Sequence, residues 1–153
     1  MSNNKTNSLI IGIGNEFRSD DSIGIVLSRK LKEKFPFSVK VAECSGAGIE
    51  LLEIWKDYNS VFIIDAASSE SLPGTIFRFD VNKETLPRNT FNYSSHSFSL
   101  AETVELARKL NRLPQRLTIY GVEGKIFEQG NGLSYSLESV CDALLKNLLT
   151  DIQ

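Results

Sequence analysis

Histidine and cysteine are scarce: 153 residues hold one histidine, His96, and two cysteines, Cys44 and Cys141. The cysteines lie far apart with no Cys-x-x-Cys spacing, which argues against a zinc knuckle and against a disulfide framework. No excess of one charge is present either. Seventeen basic and nineteen acidic residues leave a net charge of −2, so neither a general nucleic-acid surface nor an anionic-membrane surface is expected. No apolar run reaches the length of a spanning helix. The segment Met1–Asn7 is polar, lacks the apolar centre of a signal peptide, and is expected to be a flexible tail. With few thiols and no export signal in view, the cytoplasm is the default compartment. What remains is ordinary for a soluble globular chain, 41% hydrophobic and 24% charged, and its length suits one domain over 1–153.

The chain is organised around Leu9–Gly24. Leu9-Ile10-Ile11 runs into Gly12-x-Gly14-Asn15, a buried strand breaking into a turn, and Ile23, Val26, Leu27 and Leu31 follow at helical spacing. Phe35-Pro36 stops that helix, and Val39–Glu43 alternates as a second strand. Gly46-Ala47-Gly48 opens a helix with Leu51, Leu52 and Trp55 on one face. Val61–Ala67 is a second unbroken apolar strand, and like the first it predicts a central parallel strand covered on both faces. Thr75–Asp80 alternates as an edge or antiparallel strand does.

A long polar stretch from Val81 to Ser97 carries His96, and such a segment inside a compact domain is usually functional or disordered. A helix with Leu100, Val104, Ala107 and Leu110 on one stripe follows, capped by Ser97 or Ser99. Arg116–Val122 is a further strand, leading to a glycine-rich loop with Gly124, Gly130 and Gly132. One last helix presents Leu137, Val140, Cys141, Leu144, Leu145 and Leu148 to the core. The expected fold is α/β: a three-layer α/β/α sandwich around a mostly parallel twisted sheet of about five strands.

Gly12-x-Gly14 begins like a dinucleotide fingerprint, but Phe17 stands at the third glycine position. Asp20 and Asp21 occupy the helix entrance, where a pyrophosphate needs bare N–H groups and positive potential. A negative entrance suits a cation. Asp20 reads as the helix cap and Asp21 as a candidate ligand. Asp65 ends its strand at the same sheet edge, so Asp21, Asp65 and His96 form a candidate oxygen/nitrogen site for a divalent transition ion. Asp65 also suits a turn or a cap, and a single histidine in a serine-rich loop is commonly just solvated. Glu123 is a weaker candidate for the same crevice, Asp20 and Glu16 stand where repulsion would tune it although solvated loop residues are commoner, and Glu43 stands where a ribose-binding acid would but does not rescue the dinucleotide reading. Cys44 follows a strand and is the thiol to weigh as a nucleophile, though buried structural cysteine is commoner.

At these residues the sequence resembles the [NiFe]-hydrogenase maturation endopeptidases. The resemblance runs from Ile11-Gly12-Ile13-Gly14-Asn15 and Asp20-Asp21-x-x-Gly24 through Gly46-Ala47-Gly48-Ile49-Glu50-Leu51-Leu52 and Ile63-Ile64-Asp65-Ala66. It continues through Ser95-His96-Ser97-Phe98-Ser99-Leu100 to Tyr120-Gly121-Val122-Glu123. Ser22 departs from it, where many members carry glycine. The resemblance implies a peptidase that removes a short C-terminal extension from a hydrogenase large-subunit precursor, its partner, once nickel has been inserted. It also implies that Asp21, Asp65 and His96 bind that nickel, which belongs to the precursor rather than to the protease as a permanent cofactor. A carboxylate-positioned or metal-bound water is then the expected attacking group, with either aspartate as base. Two other readings stay open: a zinc-type amide hydrolase using the same three residues, and a non-proteolytic nickel- or hydrogenase-binding factor.

Overall fold

The computed structural model describes residues 8–36, 39–46, 48–87, 90–91 and 99–152. The two unbroken apolar runs become neighbouring central strands, β1 (Ser8–Ile13) and β3 (Ser60–Ala67), parallel with Ile11 opposite Ile63. Their side chains are buried on both faces, as a sheet sandwiched between helices requires. β2 (Lys40–Cys44) pairs with β1, and β5 (Arg116–Glu123) pairs with β3, both parallel. β4 (Ile76–Asp80) closes the edge antiparallel to β5, as its alternation predicts, so the order is β2-β1-β3-β5-β4.

Alternation along the strands divides the core in two. Ile11, Ile63 and Ile119 face α2 (Ile49–Trp55) and α3 (Leu100–Lys109). Ile10, Phe62 and Val122 face α1 (Ile23–Lys34) and α5 (Cys141–Ile152). The expected three-layer α/β sandwich is therefore present. Among the described residues no helix is long and apolar enough to cross a membrane.

Glycine matters where β1 turns into α1. Gly14 has φ +150, and a Cβ there would lie 1.9 Å from the Asp21 carbonyl oxygen. A Cβ on Gly24 would lie 2.3 Å from the Ile64 carbonyl oxygen, so the start of α1 rests on the backbone of β3. Ser22 needs no glycine: its φ is −82, and its buried hydroxyl donates to the Ser19 carbonyl at 2.6 Å.

Two local expectations are corrected. The last helix is interrupted: α4 (Tyr135–Glu138) ends at Ser139, whose hydroxyl donates to the Ser136 carbonyl, before α5 begins at Cys141. Leu110 is 53% exposed rather than part of the α3 stripe, because it is the residue that caps the end of that helix. At the other end of α3 the cap is Ser99, which forms a capping box with Glu102.

Candidate active site

The chain leaves β1 for β2 on one side and then crosses to β3 on the other, so the order reverses between β1 and β3. In open α/β sheets the crevice at the carboxyl ends of two such strands is where ligands bind. Asp21 lies in the 3-10 turn Ser19–Ser22 that follows β1, and Asp65 lies near the carboxyl end of β3. The two predicted carboxylates thus flank the switch point.

Asp65 falls two residues after Ile63 and so belongs to the α2/α3 face, paired across the sheet with Gly121. It is partly buried, and its carboxylate accepts from the Ala66 N–H at 2.8 Å. Burial raises its pKa well above the ordinary carboxylate value, the charge of Asp21 raises it further, and the Ala66 N–H offsets only part of this. The structure therefore brings Asp21 and Asp65 into electrostatic contact. Asp21 is itself oriented by the turn, accepting from the Asn15 N–H at 3.0 Å, while Asn15 Oδ1 accepts from the Phe17 N–H at 2.9 Å.

His96 lies outside the described residues. Phe91 and Ser99 are described on either side of its segment. A Cβ on Gly121, the partner of Asp65, would meet the Phe91 ring at 2.7 Å. Ser99 begins α3, which packs on the same face. Among the described residues no three histidine, cysteine, aspartate or glutamate side chains form a metal-binding group.

The remaining acids have other duties. Asp20 does not cap α1: it is fully buried and reaches across the molecule. Its carboxylate accepts from the backbone N–H groups of Lys125 (2.8 Å), Ile126 (2.9 Å) and Ser134 (2.7 Å) and from the Ser134 hydroxyl (2.8 Å). Glu123 is also buried, and it accepts from the Ser69 N–H and hydroxyl, fastening the turn after β3. Glu16 and Glu43 are both held by Arg29, Glu43 through two parallel hydrogen bonds of 2.8 and 2.9 Å. That ion pair was not visible as a sequence signal, since Arg29 sits on the polar face of an amphipathic helix where charge is expected anyway.

Cys44 has the surroundings of a structural thiol. It is buried, its thiol donates to the Gly46 carbonyl at 2.9 Å, and burial raises its pKa, with the charges of Glu50 and Asp65 adding to the effect. The same couplings place Glu50, at the first turn of α2, on the border of the site. Sequence reasoning did not single out Glu50, because an acid in a first helical turn is expected for the dipole alone.

An α/β sandwich with an acidic pair at its switch point and no phosphate-binding loop is set apart from the nucleotide-binding α/β proteins. A family model described as hydrogenase maturation protease matches residues 25–151. The chain belongs to that family and is a peptidase. It is 27% identical over 148 residues to the Hydrogenase 2 maturation protease of Escherichia coli K12, covering 95% of this chain and 90% of that protein. It is 28% identical over 156 residues to a putative hydrogenase maturation protease of Methanocaldococcus jannaschii, covering 97% and 98%. Among solved structures, the hydrogenase maturating endopeptidase HybD of Escherichia coli aligns with a TM-score of 0.78 at 25% identity, over 95% of this chain and 91% of that one. The [NiFe] hydrogenase maturation protease HybD of Thermococcus kodakarensis shares the fold, with a TM-score of 0.71 at 22% identity over 96% and 99%.

Proposed function

We propose that this peptidase removes the C-terminal extension of a [NiFe]-hydrogenase large-subunit precursor, and that it recognises the nickel carried by that precursor through Asp21, Asp65 and His96. The observation that carries the reading is the coupled acidic pair at the β1/β3 switch point of a chain in this family. Support for His96 comes from its neighbours: Phe91 packs against the strand partner of Asp65, and Ser99 opens the helix on the same face.

The electrostatics suit a transient visitor. Burial and the charge of Asp21 both oppose ionisation of Asp65, so the empty site disfavours double ionisation. An arriving divalent cation reverses that balance: its charge favours the ionised form of both carboxylates, which then contribute to binding. The nickel of a correctly loaded precursor supplies this charge, whereas a metal-free precursor leaves the repulsion in place. Recognition is thereby linked to metal insertion. With the scissile segment held at the rim, a carboxylate oxygen of the pair accepts the proton of the attacking water, and that proton then passes to the leaving amine.

Nickel-loaded and metal-free precursor, incubated separately with the protease and followed by intact mass spectrometry, test the reading. Release of the C-terminal peptide is expected from the loaded form only, and Asp65→Asn or His96→Ala is expected to abolish it while far-ultraviolet circular dichroism stays unchanged. Cleavage that survives both substitutions sinks the assignment.

A further inference from the structure

Among the described residues six large apolar side chains are exposed: Phe17 (61%), Ile49 (62%), Leu72 (81%), Leu110 (53%), Ile126 (42%) and Tyr135 (85%). Exposed apolar residues scattered singly over a surface need no explanation. These are not scattered. Phe17 follows β1, Ile49 opens α2 after β2, Leu72 follows β3, and Ile126 and Tyr135 follow β5. Five of the six therefore stand on connections leaving the carboxyl ends of the parallel strands, the edge that carries Asp21 and Asp65. Only Leu110, which precedes β5, lies at the opposite edge.

The backbone beneath them is tied together. The Phe17 carbonyl accepts from the Gly130 N–H at 2.9 Å, and the Asp20 N–H donates to the Ile126 carbonyl at 2.9 Å. The buried Asp20 carboxylate then gathers Ile126 and Ser134, the neighbour of Tyr135. The Leu72 loop joins the same assembly: the Gly74 N–H donates to the Glu123 carbonyl, and a Cβ on Gly74 would stand 3.0 Å from the Ser136 carbonyl oxygen. Apolar side chains are thus presented to water on fixed backbone, the arrangement that lowers the ordering cost of binding.

From this placement we infer that Phe17, Leu72, Ile126 and Tyr135 form the docking platform for the folded body of the precursor. The inference rests on the proposed reading of the acidic pair and adds the surface that surrounds it. Charge and polarity identify the occupant. The same edge carries the acids Asp21 and Asp65 and these exposed apolar side chains, so the complementary surface is an apolar protein face that also presents a cation. A nickel-loaded precursor supplies the cation, whereas a second copy of this chain would set acid against acid.

The test uses the triple variant Phe17→Ser, Leu72→Ser and Tyr135→Ser, with Leu110→Ser as the control from the opposite edge. Binding of immobilised nickel-loaded precursor is measured by biolayer interferometry, and cleavage is followed in parallel. The triple variant is expected to bind at least about tenfold more weakly and to raise KM in proportion, with kcat changed far less. Its melting temperature and circular dichroism report whether it folds, and single Tyr135→Ser serves if it does not. The Leu110→Ser control is expected to match wild type. Equal affinity of wild type and the triple variant overturns the inference. So does self-association of wild type that the triple variant loses, since the platform would then join copies of this chain. Wild type that binds the precursor without cutting it would refute the proposed function while leaving the platform intact.

Discussion

Asp20→Asn places an amide NH2 in a pocket where four groups now donate. One carboxylate oxygen accepts from Lys125 N–H, Ile126 N–H and the Ser134 hydroxyl, the other from Ser134 N–H alone. The amide keeps most by setting its oxygen at the threefold position, which leaves its NH2 facing the Ser134 N–H. One buried donor without an acceptor costs about 1–3 kcal/mol. For a chain of this size each kcal/mol lowers Tm by about 2–4 °C, so a drop of about 2–12 °C is expected. Asp20→Ala leaves all four donors without their acceptor, and partial relaxation of the loop toward water brings the cost to about 3–5 kcal/mol. Calorimetry gives the Tm, and hydrogen exchange reads the loop directly: the Lys125, Ile126 and Ser134 amides should exchange faster than those of β1 and β3. An Asn variant that melts within about 1 °C of wild type, with those amides still protected, would refute the role given to Asp20.

Asp65→Asn should abolish cleavage yet stabilise the fold near neutral pH. The folded-state pKa of Asp65 is raised, so the penalty for ionising it is absent below the unfolded value of about 3.9 and grows as pH rises toward the folded value. The stabilisation by Asn, read from denaturant midpoints, should therefore shrink as pH falls toward 4; a constant or reversed difference contradicts the repulsion argument. Asp151→Asn acts oppositely. Burial alone would raise the Asp151 pKa, but hydrogen bonds from Arg78 and Tyr120 outweigh it and hold the carboxyl below its usual value. That network pins the end of α5 to β4 and β5. Its contribution is present above pH of about 4 and is lost as pH falls through the lowered value, so the substitution should cost about 2 kcal/mol at pH 7 and little in acid. Ser99→Ala removes the capping box of α3 and should lower stability by about 1 kcal/mol, measured by urea denaturation.

The strands were legible because their signals are local. Unbroken apolar runs at Leu9–Ile13 and Val61–Ala67 mark central strands and alternation at Ile76–Asp80 marks the antiparallel edge, whereas local signals leave the cap of α3 open between Ser97 and Ser99 and only the structure gives Ser99. The convergence of Asp21 and Asp65 was legible too, since carboxyl ends of parallel strands share an edge. Asp20 was misread because its partners stand 105 to 114 residues away, where no local preference points. The α4/α5 break escaped notice because Leu137, Cys141, Leu144 and Leu148 keep helical spacing straight across it. The grip of Arg29 on Glu16 and Glu43 is likewise a product of tertiary packing, invisible in composition.

Anomalous diffraction from a crystal soaked in nickel tests most directly whether one cation is met by all three side chains. The expected result is a single strong site at the β1/β3 crevice, with carboxylate oxygens of Asp21 and Asp65 and a ring nitrogen of His96 all within about 2.5 Å, and loss of that site in Asp65→Asn crystals. Nickel bound elsewhere, or bound at the two aspartates with His96 held away from it, would contradict the account.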